Sequence, residues 1–113
     1  MRLLRVEPLP GDALAAAAQF HAEVLPRALA ECELGETLTL LFRPADHRHR
    51  AWRLAAIQGL SRHFAPVRVN GLAGDDERAI AAALAYLETA EGVTGQLLRL
   101  DGNGAGEILS SSR

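Results

Sequence analysis

Apolar positions along this chain alternate between two patterns, short continuous runs and longer stretches with helical spacing. The first run, Leu3-Leu4-Arg5-Val6, ends at Pro8 and Pro10 and reads as a strand entering a loop. Asp12 supplies an N-cap for Ala13 to Ala30, an Ala- and Leu-rich helix with Phe20, Val24 and Ala28 on one stripe and Ala18, Leu25 and Leu29 on another. Pro26 removes a backbone donor and crowds the preceding turn, so it should kink or divide this helix. After Gly35, Thr37 to Phe42 reads as a second strand, closed by Pro44. Asp46 caps a helix reaching the neighbourhood of Ala65, with Ile57, Leu60 and Phe64 on one face and Trp52, Ala56 and Gly59 on the adjacent one.

Val67 to Val69 predicts a third strand, with Asn70-Gly71 and Gly74 as the turn after it. Asp75-Asp76-Glu77 opens a helix that carries Ile80, Ala83, Leu84 and Leu87 and stops at Gly92. Gln96 to Leu100 is a last strand, and Asp101 to Gly106 a flexible exit. Strands separated by long helices require crossover connections. The expected fold is therefore α/β: half of a doubly wound, Rossmann-like domain with about four parallel strands, three long helices and helices on both faces. One domain over residues 1–106 and a frayed tail over 107–113 complete the division.

Composition narrows the chemistry. With 49% hydrophobic and 23% charged residues and a net charge of −2, the chain has the make-up of a soluble globular protein, and nucleic acid is not the expected partner. No apolar run approaches the roughly 18 residues that span a bilayer, and charge interrupts Met1 to Arg5 too early for a secretory segment, so a cytoplasmic location is expected. All twelve basic residues are arginine, which removes Schiff-base chemistry and a phosphate-loop lysine. The Ala and Arg bias suits a GC-rich bacterial genome. Cys32, the only cysteine, lies between Glu31 and Glu33 and is expected to be a structural thiol.

Three stretches then point to a family: Ala55-Ala56-Ile57-Gln58-Gly59-Leu60-Ser61-Arg62, Val67-Arg68-Val69-Asn70, and Tyr86-Leu87 leading to Val93-Thr94-Gly95-Gln96 and Asp101-Gly102. In this order and spacing the chain resembles the C-terminal half of a short-chain dehydrogenase. The resemblance implies a tyrosine and a lysine four apart at the start of the middle helix, acting in proton transfer and ribose binding. Those positions are Arg50 and Leu54 here. The family's serine would stand at Arg43-Pro44, its asparagine in the first long helix, which has none, and its glycine-rich phosphate loop falls outside the matching region. No catalytic residue, no dinucleotide cofactor and no metal are expected.

The densest basic cluster is Arg43, His47, Arg48, His49, Arg50 and Arg53, at the strand end where open α/β sheets bind ligands. Arg43, His47, Arg50 and Arg53 make a candidate site for a phosphate ester or carboxylate held by guanidinium forks and helix amides. A solvated helix start paired with Asp46 accounts for the same residues. His47 and His49 with Asp46 diverge on a helix and do not form a metal site. Gly102 to Gly106 has no helix after it to hold phosphate, Asp75 to Glu77 reads as helix capping, and His21, His63 and Cys32 are dispersed in sequence, a distance that by itself leaves a Cys/His pair open.

The remaining signal is surface. A raw N-terminal strand edge and helices apolar on more than one side suggest association through Phe20, Val24, Trp52, Ala56, Leu60, Leu84 and Leu87. The resemblance implies the same elements, since these dehydrogenases oligomerise through the corresponding helices. The expected function is thus a non-catalytic, oligomerising scaffold or accessory subunit, a homodimer or a hetero-oligomer with an intact dehydrogenase. The alternative is a binder of a small anion at the arginine-rich strand end.

Overall fold

The computed structural model describes residues 1–100. The expected exit and tail, and the Asp101-Gly102 end of the family-like signature, lie outside the described residues. Four strands, β1 (Arg2–Arg5), β2 (Leu38–Phe42), β3 (Val69–Ala73) and β4 (Leu97–Arg99), form one sheet in the order β1-β2-β3-β4, every neighbouring pair parallel. The expected α/β half-domain is what the chain forms.

The first helical stretch is divided, as Pro26 requires. Helix α1 (Ala13–Gln19) starts at Asp12, whose carboxylate accepts from the Ala15 amide, and α2 (Leu25–Glu33) carries Pro26 in its first turn. Between them Phe20–Val24 is a π turn, with the Leu25 amide donating to the Phe20 carbonyl. The wider turn relocates the carbonyls that the proline can neither pair with nor pack against. A 3-10 turn at His47–His49 precedes α3 (Arg50–His63), and α4 (Glu77–Thr89) is capped by Asp76, which accepts from the Ala79 amide.

The third strand corrects the sequence reading. Asn70-Gly71 is not a turn but the middle of β3, which runs to Ala73. Flanked by β2 and β4 and buried along its length, β3 satisfies its backbone in two ladders, and that outweighs a local turn preference. Gly74 follows at the strand end, where a Cβ would sit 2.8 Å from Leu100 Cβ and 3.0 Å from the Leu100 carbonyl oxygen. Because backbone cannot yield as a side-chain tip can, Gly74→Ala should cost about 1–3 kcal/mol, read by thermal or urea unfolding.

Side chains alternate across the sheet. Leu38, Leu40, Phe42, Val69 and Leu97 meet Phe20, Val24, Ala28, Cys32, Ile57 and Leu60 on one face, whereas Leu41, Leu72 and Leu100 meet Ala79, Ile80, Ala83 and Leu87 on the other. Helices α1 to α3 therefore share one layer and α4 occupies the opposite one. The chain steps across the sheet in a single direction, so the β3-α4-β4 crossover has the opposite hand to the two before it. At least one crossover is left-handed, against a strong general preference.

Polar clamps hold the unusual connection. Fully buried Asn70 donates from Nδ2 to the Val93 carbonyl (3.0 Å) and accepts at Oδ1 from the Gln96 amide (3.1 Å). Thr94 Oγ1 accepts from the Val69 amide (3.0 Å) and lies 2.8 Å from Ser61 Oγ, while Gly95, at φ +73°, donates to the Val69 carbonyl. Arg68 donates to the Leu87 and Ala90 carbonyls at the end of α4. The family-like residues Asn70, Thr94 and Gly95 thus join the segment after α4 to the central strand.

The residues expected at an interface lie within or against the core. Phe20, Val24, Leu60 and Leu87 are buried in the chain's own core, and Trp52, Ala56 and Leu84 pack partly buried against it. Two apolar faces on a helix reflect neighbours within the layer as well as the sheet below. The Phe20 ring, for example, lies 5.7 Å from that of Phe42 on β2 and 5.3 Å from that of Trp52 on α3. Cys32 is buried in the same cluster, and burial pushes its thiol pKa up, in keeping with a structural role. No helix among the described residues is long and apolar enough to cross a membrane.

Candidate functional site

The carboxyl ends of β1 and β2 open into a crevice of about 270 Å³. One wall is the loop from Val6 to Gly11, which leaves β1 through Pro8 and Pro10. The other is Phe42 to Asp46, which leaves β2 through Pro44. His49 and Arg53, four residues apart at the start of α3, close the floor. A cleft beyond the carboxyl ends of parallel strands is where ligands dock in open α/β sheets.

His49 is held on both sides of its ring. Nε2 lies 2.9 Å from the Gly11 carbonyl, to which it donates, and Nδ1 accepts from the Trp52 indole N–H at 3.3 Å. This pattern assigns the proton to Nε2 and leaves neither nitrogen free to move a proton for a ligand. His49 ties the β1 loop to α3.

Arg53 is held differently. It is only 7% exposed, its guanidinium carbon lies 4.7 Å from the Phe42 ring centroid and 5.7 Å from that of Trp52, and among the described residues it has no ion-pair partner. Its Nε is buried with no hydrogen-bond partner. Burial lowers the Arg53 pKa, but a guanidinium stays protonated at any physiological pH. The crevice therefore contains a largely buried cation with an unpaired Nε, no acidic partner among the described residues, and aromatic rings against its guanidinium.

The four arginine and histidine positions expected to bind an anion do not converge. Arg43 and Arg53 line the crevice, while His47 and Arg50 are exposed and are not among the residues that line it. The helix amides are also taken by the chain itself. Asp46 accepts from the Arg48 amide at 2.9 Å and pairs with the Arg48 side chain at 2.7 Å, which holds its carboxyl well below the usual carboxylate range. This depressed carboxylate stabilises above the ordinary pKa of an aspartate, and its contribution fades as acid protonates it. A second depression on the α4 side, about 210 Å³, is bordered by Arg5, Glu7, Arg43, Asp75 and Glu77, with Arg5 paired to Glu77 at 3.4 Å.

Residues 4–100 match the model of a family described as short chain dehydrogenase-like protein, SDR-like. The chain belongs to that family. No curated protein and no solved structure matches it.

In this SDR-like chain, the crevice lies beside Arg43-Pro44, where the resemblance puts the family's serine. The pair that faces it with the tyrosine-lysine spacing of four is His49 and Arg53, one position before Arg50 and Leu54. Arg50 points outward, and Leu54 packs partly buried against the core. Arg53 is among the residues expected at the anion site, whereas His49 stands only in the surrounding basic cluster. The i, i+4 spacing back from Arg53 was the signal that could have found it.

Proposed function

We propose that this SDR-like protein is a non-catalytic binder of a small anion, with Arg53 as the anchor at the floor of the β1–β2 crevice. The observation that carries this reading is the buried Arg53 guanidinium without an acidic partner. A charge drawn partly out of water without an acidic partner costs stability, so its retention at an open cleft is explained by a ligand that neutralises it. The non-catalytic part is supported by His49, whose two nitrogens are engaged in structural hydrogen bonds, and by Arg50 and Leu54 at the family's tyrosine and lysine positions.

The expected balance of energies supplies the test. Arg53→Met keeps an unbranched side chain against Phe42 and Trp52 and forfeits a cation–π contribution of about 0.5–2 kcal/mol, but it removes the larger desolvation cost. Arg53→Met should therefore stabilise the free protein by roughly 1–2 kcal/mol while abolishing the rise in Tm that small organic anions produce in the parent. A destabilised Arg53→Met protein, or anions that leave the parent Tm unmoved, would count against the proposal. Saturable NADPH binding by the protein alone would remove the non-catalytic part.

Association as a scaffold, in a homodimer or with an intact dehydrogenase, has fewer residues to rest on once Phe20, Val24, Leu60 and Leu87 are in the core. β1 is an edge strand, but it is short and bordered by Arg2 and Arg5, which pair with Glu31 and Glu77. Charged, short edges resist strand addition.

A further inference from the structure

Resting on the anion-site reading, we infer that the crevice selects a monocarboxylate with a compact apolar body over a phosphate ester. Phosphate sites in α/β folds are built from several converging backbone amides at a glycine-rich turn or a helix start. Several donors that such a site would use are absent or occupied here. Pro8, Pro10 and Pro44 carry no amide hydrogen, the Arg48 amide at the helix start is held by Asp46, and the His49 ring is committed to Gly11 and Trp52.

Charge points the same way. The crevice is bordered by two arginines, Arg43 and Arg53, and by two carboxylates, Glu7 and Asp46. Only Arg53 is buried; Arg43 is at the exposed rim. One buried cation matches one negative charge, and a dianion would place its second charge near Glu7 and Asp46 with only the rim arginine to offset it. The apolar body of the ligand is set by the walls, where Leu9, Pro10, Phe42, Pro44 and Ala45 provide hydrocarbon surface. At about 270 Å³ the crevice is at the lower end of ligand pockets, which run from about 300 to 1,000 Å³, and so suits a body the size of a single ring.

The only tryptophan, Trp52, hydrogen-bonds His49 and borders Arg53, which makes its emission a direct reporter. Cyclohexanecarboxylate, cyclohexyl phosphate and cyclohexylmethanol share one body and differ in charge. Titrated against the full chain and followed by Trp52 fluorescence and by amide NMR shifts, the carboxylate should saturate about tenfold or more tightly than the phosphate, with the alcohol weaker still. Arg53→Met should lose carboxylate binding, and Ala45→Phe, an exposed substitution that fills the crevice while keeping Arg53, should weaken it. If cyclohexyl phosphate binds as tightly as the carboxylate or more tightly, the selectivity inference falls and the anion site stands. If neither anion binds, both fall, and if the alcohol binds as well as the carboxylate, Arg53 is not the anchor.

Discussion

Phe20→Ala should lower the unfolding free energy by about 3–5 kcal/mol, the largest single-site effect expected in this protein. The side chain is fully buried and sits where three parts of the structure meet: the π turn between α1 and α2, Phe42 on β2 and Trp52 on α3. Removing the ring forfeits its transfer free energy and leaves a cavity that a parallel sheet on one side and a proline-fixed turn on the other cannot easily close. Urea unfolding at two protein concentrations decides between the two roles considered for this residue. A core role predicts the full loss at both concentrations. A loss below about 1 kcal/mol, or one that vanishes on dilution, would show that Phe20 serves an interface between chains.

The second large effect belongs to Asn70. Asn70→Ala deletes the bonds to Val93 and Gln96 together, leaving the Val93 carbonyl and the Gln96 amide without their buried side-chain partner, for about 1–3 kcal/mol. Asn70→Asp offers a finer readout, because it keeps the acceptor for the Gln96 amide but replaces the donor to the Val93 carbonyl with a second oxygen. Hydrogen exchange should show early loss of protection in the segment between α4 and β4, ahead of β2, since that segment is what the clamp holds. Uniform loss across the sheet would mean that Asn70 contributes only generic packing.

These predictions also give the SDR-like signature residues a role in the fold. Asn70, Thr94 and Gly95 act on the fold. They secure the crossover whose hand differs from the others, and that requirement is independent of any reaction. Arg53 belongs to the opposite class. It is expected to work against stability where it stands, and the proposed ligand is what relates it to function.

Much of the architecture was legible in the sequence because it depends on local periodicity. Asp12, Asp46 and the run Asp75-Asp76-Glu77 marked helix starts, Pro26 marked a kink or division in the first helix, and alternating short and long apolar segments implied a parallel sheet. Local signals failed where a distant partner outweighed them. Asn70-Gly71 has the chemistry of a turn, yet two neighbouring strands draw it into a ladder. The apolar flanks of the helices resembled association surfaces, yet α1, α2 and α3 use them on one another and on the sheet.

Arg53 shows the same division at the site. From sequence alone it is one arginine in a basic cluster at the end of a strand, and the crevice's position follows from that connectivity. Sequence determined the element types, the parallel sheet and the presence of positive charge at its carboxyl edge, because these depend on neighbours along the chain. Tertiary structure decided which face each helix covers and that Arg53 is buried without an acid among the described residues, because a charge's environment is set by residues that only folding brings within reach.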